Sequence, residues 1–283
     1  MRIVSCCGFD CIPCDLGNQL IVEELQKKGA DVREVRFTAF EVKGSASGGT
    51  LHSMMNMFAS TSFPALLALL NPYYLNPVPE GKTKPITPAD KSVQYRARDK
   101  LVFDYDRINQ CWGIPYIMQS VDTRLVNRSN ALQNFKYGEK FVFTERLRVP
   151  HFGYALLSLF MMPVFLLFFM NPLGRAILHL VLPSPGEGPS QYLLDHGYMK
   201  MKLWGKGVDA AGKEVVVRGT VTAMNGDPGY RQTGKMMAES AICLALDQKK
   251  LPALYGMLTP ASAMGAVLRE RLNQKGVHFD IVE

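Results

Sequence analysis

The chain has 283 residues, a formal net charge of +7 and 47% hydrophobic residues. This length suits one large or two small domains, and the hydrophobic content is sufficient for a buried core. The basic residues are scattered and form no aromatic-interleaved run, so nucleic acid is not an expected partner.

The first forty residues predict a strand, a helix and a second strand. Ile3 and Val4 belong to a short apolar run that is typical of a buried strand in a parallel sheet. Asp15 is a candidate helix N-cap, and apolar residues at helical spacing follow it up to Gly29. Val32 to Val42 is rich in Val, Phe and Thr, which predicts the second strand. This order is typical of an α/β unit.

The middle of the chain is less regular. Phe58 to Leu101 is punctuated by prolines, which predicts a long surface excursion. A helix over Val121 to Phe135 and a strand over Lys140 to Val149 are expected to follow it.

Phe152 to Met170 carries no charged residue and approaches the roughly 20 residues that a membrane span needs. Pro163 lies near its centre and predicts a kink or a split into two short helices. Together with a second apolar run at Ala176 to Leu182, this favours a hairpin or surface-lying anchor. A straight span and a buried core helix remain as alternatives.

The last third of the chain predicts a hairpin and a final helix–strand pair. Tyr198 to Leu203 and Glu214 to Ala223 flank a turn-like Asp-Ala-Ala-Gly-Lys segment. Thr259 is a candidate N-cap of a helix that Gly276 ends, and the alternating residues Val277 to Val282 predict a closing strand.

Several motifs resemble the saccharopine dehydrogenase-like oxidoreductases, a family that includes trans-acting enoyl reductases. Residues 7–17 read CGFDCIPCDLG and resemble the family segment GFDSIPSDLG. Gly48-Gly49-Thr50 is similar to its Gly-Gly-Thr, residues 229–239 resemble its GYxxT…AE helix, and residues 258–261 resemble the block before its last helix. The family's Gly-rich nucleotide fingerprint is not found in this sequence.

The resemblance implies an α/β fold combined with α+β elements, and a C-terminal portion that lacks most of the N-terminal nucleotide-binding domain. Residues 1–30 would be the terminal βα unit, a remnant of a doubly wound, Rossmann-like sheet. Residues 31–150 and 190–283 would form two parts of a mixed-sheet α+β domain, the second with the C-terminal helix. Residues 151–183 would be an apolar, membrane-associating helical segment between those parts.

The same resemblance implies two sets of site residues, although it assigns no catalytic residue. The cofactor-binding candidates are Gly8, Phe9, Asp10 and Pro13, and the substrate-binding candidates are Gly48, Gly49, Thr50 and Tyr230. Several have a structural alternative: Asp10 suits a turn, the two glycines at 48 and 49 could simply end a strand, and Tyr230 could pack at the base of its helix.

The cysteines also have a pattern that could carry chemistry. Cys7, Cys11 and Cys14 formally match the spacing of an iron–sulfur site, and Cys11-Ile-Pro-Cys14 matches a redox dithiol. Spacing alone is a weak signal, and ordinary buried thiols are the stronger interpretation. We therefore expect no metal site.

Two function classes follow. The resemblance implies an NAD(P)-dependent oxidoreductase acting on a lipid-linked substrate, here truncated and inactive alone; the alternative is a non-enzymatic membrane or lipid-droplet protein. NADP or NAD is the implied cofactor, yet tight binding to this chain is not expected without a Gly-rich turn. The expected partners are a membrane or lipid-droplet surface, a lipid-like small molecule and a second copy in a homodimer. With no signal peptide visible, we expect an intracellular, membrane-associated protein, with lipid droplets and mitochondria as candidate locations.

Overall fold

A computed structural model describes residues 1–282 of the chain. Its strands are β1 (Arg2–Val4), β2 (Asp31–Lys43), β3 (Asp104–Asp106), β4 (Cys111–Ile114), β5 (Val142–Val149), β6 (Tyr198–Val208), β7 (Glu214–Ala223), β8 (Gly256–Leu258) and β9 (Val277–Val282). Its α-helices are α1 (Ile12–Lys27), α2 (Gly48–Ser60), α3 (Phe63–Leu69), α4 (Lys91–Arg96), α5 (Gln119–Leu132), α6 (Phe152–Met170), α7 (Pro172–Val181), α8 (Gln191–His196), α9 (Thr233–Leu246), α10 (Pro260–Ala263) and α11 (Gly265–Gln274). A π-helical turn, Pro228–Gln232, precedes α9.

A seven-stranded mixed sheet organises the fold, with strand order β3-β4-β5-β2-β6-β7-β9. Strands β2 and β5 are parallel, and their other neighbours in the sheet are antiparallel. The α/β prediction and the β6–β7 hairpin are thereby confirmed. Strand β1 does not join this sheet: it pairs in parallel with β8, from the other end of the chain, in a separate two-stranded sheet.

Helix α1 packs its apolar face on the centre of the large sheet. Ile21 and Leu25 are fully buried there. Glycine is required opposite them, because a Cβ on Gly205 of β6 would lie 2.3 Å from a methyl group of Ile21. Helices α10 and α11 pack on the same α1, so the final helix returns to the first unit as predicted.

The prediction that Asp15 is the N-cap of α1 is wrong. Cys11 occupies that position, and Asp15 is fully buried one turn later. Its carboxylate accepts hydrogen bonds from the Ser129 hydroxyl at 2.6 Å and from the Ala261 N–H at 2.8 Å. Asp15 therefore satisfies an N-terminal N–H of α10, a helix that lies far away in sequence. Thr259 is the predicted N-cap of α10, with Ser262 completing a reciprocal cap.

Two further expectations change. The surface excursion over residues 58–101 is partly helical, because α2 extends to Ser60 and α3 and α4 follow. Pro163 does not split the apolar segment, since α6 continues through it. The hairpin turn lies instead at Asn171, whose side chain accepts a hydrogen bond from the Leu173 N–H at 2.8 Å at the start of α7. Among the described helices, α6 is the one long and apolar enough to span a bilayer by length and composition, and 17% of its apolar window is buried.

Candidate active site

A cavity of about 250 Å³ lies where three distant parts of the chain meet. The turn after β1 contributes Phe9 and Asp10. The segment between β2 and α2 contributes Gly44, Ser45 and Ala46, the first turn of α2 contributes Thr50, and the turn before α9 contributes Asp227, Pro228, Gly229 and Tyr230. The fold therefore brings together members of both sets of predicted site residues, which are far apart in the sequence.

Tyr230 is held with its hydroxyl against the start of α2. Its oxygen accepts a hydrogen bond from the Ser47 N–H at 2.5 Å and lies 3.3 Å from Thr50 Oγ1. Its backbone N–H donates to Asp227 Oδ1 at 2.7 Å, so Asp227 caps the π-helical turn. Because the Tyr230 oxygen already accepts from a backbone N–H, its own proton is available to Thr50 or to a ligand.

Thr233 fixes the turn after β1 beside this cavity. Its hydroxyl accepts a hydrogen bond from the Phe9 N–H and donates to the Pro228 carbonyl, each at 3.0 Å. A Cβ on Gly8 would lie 3.0 Å from the Thr233 methyl group, which accounts for glycine at that position. Two segments that resemble family motifs, residues 7–17 and 229–239, are therefore in direct contact.

The predicted cofactor-binding residues separate into two groups. Phe9 and Asp10 line the cavity, and partial burial raises the pKa of the Asp10 carboxyl. Gly8 packs against Thr233, and Pro13 is buried in the first turn of α1. Gly8 and Pro13 are therefore outside the cavity lining.

The predicted substrate-binding residues separate in the same way. Gly48 and Gly49 do not end a strand but begin α2, after the N-cap Ser47. Thr50 and Tyr230 line the cavity, whereas Gly48 packs against the loop after α7. Its N–H donates to the Glu187 carbonyl at 2.9 Å.

We predict that Gly48→Ala destabilises the protein and that Gly49→Ala does not. A Cβ on Gly48 would lie 2.0 Å from the Ser184 carbonyl oxygen, whereas a Cβ on Gly49 would meet only Ser47 Oγ, at 3.6 Å. Forcing the loop away should lower the free energy of unfolding by about 1–3 kcal/mol. Urea unfolding of both variants measures this difference. Equal stabilities would show that close packing is not the reason for glycine at position 48.

Sequence reasoning missed Asp227 and Ser47, which position Tyr230. Asp227 is fully buried, and its Oδ2 has no hydrogen-bond partner among the described residues. The signal that could have found it is the Asp-Pro-Gly sequence at residues 227–229, because Asp followed by Pro is typical of a capped helix start.

The described residues do not fit a complete dinucleotide. At the start of α1, the Cys11 and Ile12 N–H groups both donate to the Gly8 carbonyl, at 3.2 and 2.9 Å, and Pro13 has no N–H. These groups are therefore not available to a pyrophosphate, which usually binds to free N–H groups at a helix start. The cavity of about 250 Å³ suits a ring or a short acyl head, not a whole cofactor.

A comparison with family models finds no match. Similar curated proteins are named trans-acting enoyl reductases: one of Mycobacterium tuberculosis, whose name is provisional, is 32% identical, and those of Mycobacterium ulcerans and Mycobacterium leprae are 28% and 27% identical. Each match covers 98% of this chain and 66% of the relative, so the chain spans just under two thirds of their length. These relatives support an oxidoreductase family. The wider saccharopine dehydrogenase-like affiliation stays a prediction.

Proposed function

We propose that this chain binds the substrate of an enoyl reductase, and that the substrate is a lipid-linked enoyl thioester. The relatives named trans-acting enoyl reductases support the reaction class. The observation that carries the proposal is the convergence of Phe9, Thr50 and Tyr230 on one cavity from three separate segments.

The cavity offers groups that suit an unsaturated thioester. Reduction of an enoyl group adds a hydride at the β-carbon and a proton at the α-carbon, and negative charge develops on the carbonyl oxygen between these events. The Tyr230 hydroxyl is oriented by the Ser47 N–H and can donate to that oxygen. Phe9 supplies an apolar wall for the acyl chain. NADPH or NADH is the hydride donor that this reaction class implies. Because the described residues hold no pyrophosphate cradle, their role in the proposal is to bind and orient the substrate.

We predict that Tyr230→Phe weakens binding of trans-2-decenoyl-N-acetylcysteamine, a soluble enoyl thioester, by about fivefold. Loss of one hydrogen bond from a preorganised hydroxyl costs on the order of 1 kcal/mol. Calorimetric titration of the intact chain measures the change, and Tyr95→Phe is the matched control because Tyr95 is exposed away from this cavity. Unchanged affinity in Tyr230→Phe would contradict the assignment of this cavity as the substrate site.

We also propose that the chain lies on a lipid surface, as expected from its apolar segment. In α6, Ala155 and Phe169 are buried, whereas large apolar side chains along the rest of the helix face solvent. Phe160 is 67% exposed and Leu167 61%, and Leu180 of α7 is 87% exposed. Contiguous exposed apolar surface of this kind is typical of a membrane or partner contact.

The anchoring of α6 favours a surface-lying arrangement over a span. Near its start, the Phe152 ring lies 5.1 Å from the Trp112 ring of β4. Near its end, the Phe169 ring lies 6.0 Å from the Phe58 ring of α2. A helix held against the globule at both ends cannot be surrounded by lipid, but it can place one face in the interfacial region. This arrangement would bring the substrate cavity close to lipid-linked molecules. A non-enzymatic lipid-surface protein is the second candidate, and the same exposed helix favours it.

A further inference from the structure

Another cavity, of about 380 Å³, lies on the face of the large sheet that is turned away from α1. Its lining comes from the turn between β3 and β4 on one side and from β6, β7 and the end of β9 on the other. It shares no lining residue with the substrate cavity. Its role is therefore independent of the proposed function.

The alternation of side chains along the strands places polar groups in this cavity. Helix α1 covers one face of β7, because a Cβ on Gly219 would lie 2.9 Å from the Ile21 Cδ1 atom. Neighbouring residues of a strand point to opposite faces, so Arg218 and Thr220 project from the other face. Lys202 of β6 is the cross-strand partner of Thr220 and projects from the same face. Two cations and a hydroxyl group therefore line the cavity from the sheet.

A buried carboxylate fixes the turn that forms the opposite wall. Asp106 Oδ1 accepts hydrogen bonds from two backbone N–H groups of the turn, at 2.9 and 3.0 Å. Asp106 Oδ2 accepts a hydrogen bond from the Trp204 Nε1–H of β6 at 2.9 Å. These bonds hold the turn against the sheet, where Arg107 and Gln110 line the cavity. The wall is therefore preorganised by contacts that are distant in sequence.

The cavity is positively charged. Within residues 1–282, none of its three cations, Arg107, Lys202 and Arg218, pairs with a carboxylate, whereas Arg36 on the same sheet face pairs with two aspartates. Asp280 lies on the neighbouring strand β9, but it does not line the cavity, and neither does any other described acidic residue. The charge of the three cations is therefore available to an anionic ligand.

We propose that this cavity binds the phosphate group of a phosphate monoester. Arg107 and Arg218 contact the phosphate oxygens through paired N–H groups, and Lys202 supplies a third positive charge. Gln110 and Thr220 add neutral hydrogen-bond donors. The volume of about 380 Å³ exceeds that of a phosphate ion, so it also accommodates part of the organic group of the ester.

Calorimetric titration of the intact chain tests this site with two soluble probes. sn-Glycerol 3-phosphate represents a soluble phosphate ester, and dihexanoyl phosphatidic acid represents a lipid head group. We expect the double variant Arg107→Gln/Arg218→Gln to weaken binding about a hundredfold, and each single variant about tenfold, because both lose charge-assisted contacts. Both arginines are exposed, so glutamine does not disturb the core. Lys82→Gln/Lys84→Gln is the matched control, since it removes two positive charges from an exposed loop outside the cavity.

The control variant should bind both probes like the wild type. Wild-type binding of both probes, lost in the arginine variants, supports recognition of the phosphate group itself. Binding of one probe alone, lost in the same way, supports the site and identifies a lipid head group or a soluble ester as its ligand. Equal affinities of the wild type and the double arginine variant, or no binding of either probe at millimolar concentration, would overturn the proposal. Tyr230→Phe should leave these affinities unchanged, which separates this test from that of the substrate cavity.

Discussion

Vesicles of anionic phospholipid should carry the intact chain to the top of a density gradient, and the double variant Phe160→Glu/Leu167→Glu should remain at the bottom. Both side chains project from α6 with most of their surface exposed. Burial of apolar surface in the interfacial region is worth roughly 25 cal/mol per Å², and a carboxylate at the same position opposes insertion. A loss of about 1.4 kcal/mol of binding free energy corresponds to a tenfold change in partitioning. We expect the two changes together to cost more than this, so partitioning should fall by more than about tenfold.

The matched control for this experiment is Leu246→Glu. Leu246 is 77% exposed, but it ends α9, outside the apolar hairpin. This variant should float like the wild type. Vesicles of zwitterionic lipid separate the apolar contribution from the attraction of a chain with net charge +7. If the wild type stays at the bottom with both lipids, the exposed face of α6 does not bind a lipid surface.

Raising the pH from about 4 to about 8 should lower the free energy of unfolding. Burial raises the pKa of Asp122 to about 8 and that of Asp15 to about 7, and burial together with the charge of Asp122 raises the pKa of Glu145. In the unfolded chain these carboxyls lose their protons near pH 4. Between these values the folded state binds more protons than the unfolded state, so stability decreases as pH rises.

Asp122→Asn should reduce this pH dependence. Asparagine has nearly the same size but does not ionise, so the variant should gain up to a few kcal/mol relative to wild type at pH 8 and little at pH 4. Urea unfolding at the two pH values measures the change. Asp15 and Glu145 should leave a residual slope.

Asp280→Asn is the control for this measurement, because Asp280 is an exposed residue of β9. Its stability curve should run parallel to that of the wild type. Parallel curves for Asp122→Asn and wild type would contradict the prediction, since they would show that folding does not shift the pKa of Asp122.

The sequence by itself determined the regular elements whose signals are local. The boundaries of α6, Phe152–Met170, follow from an uninterrupted apolar run, and the β6–β7 hairpin follows from two Val-rich or alternating segments around a turn. The cap at Thr259 also follows from neighbouring residues. Each of these signals depends on residues within a few positions of one another, so a single chain segment is sufficient to reveal it.

Only the tertiary structure decided the features that depend on distant contacts. Strand β1 pairs with β8 across almost the whole chain, and Asp15 caps a helix that begins at Pro260. Position 48 requires glycine because the loop at Ser184 approaches it closely, and not because this residue lines the cavity. Capping and close packing are satisfied by whichever group lies nearest in space. The same carboxylate or glycine is therefore compatible with several roles in the sequence, and the packing of the folded chain selects one of them.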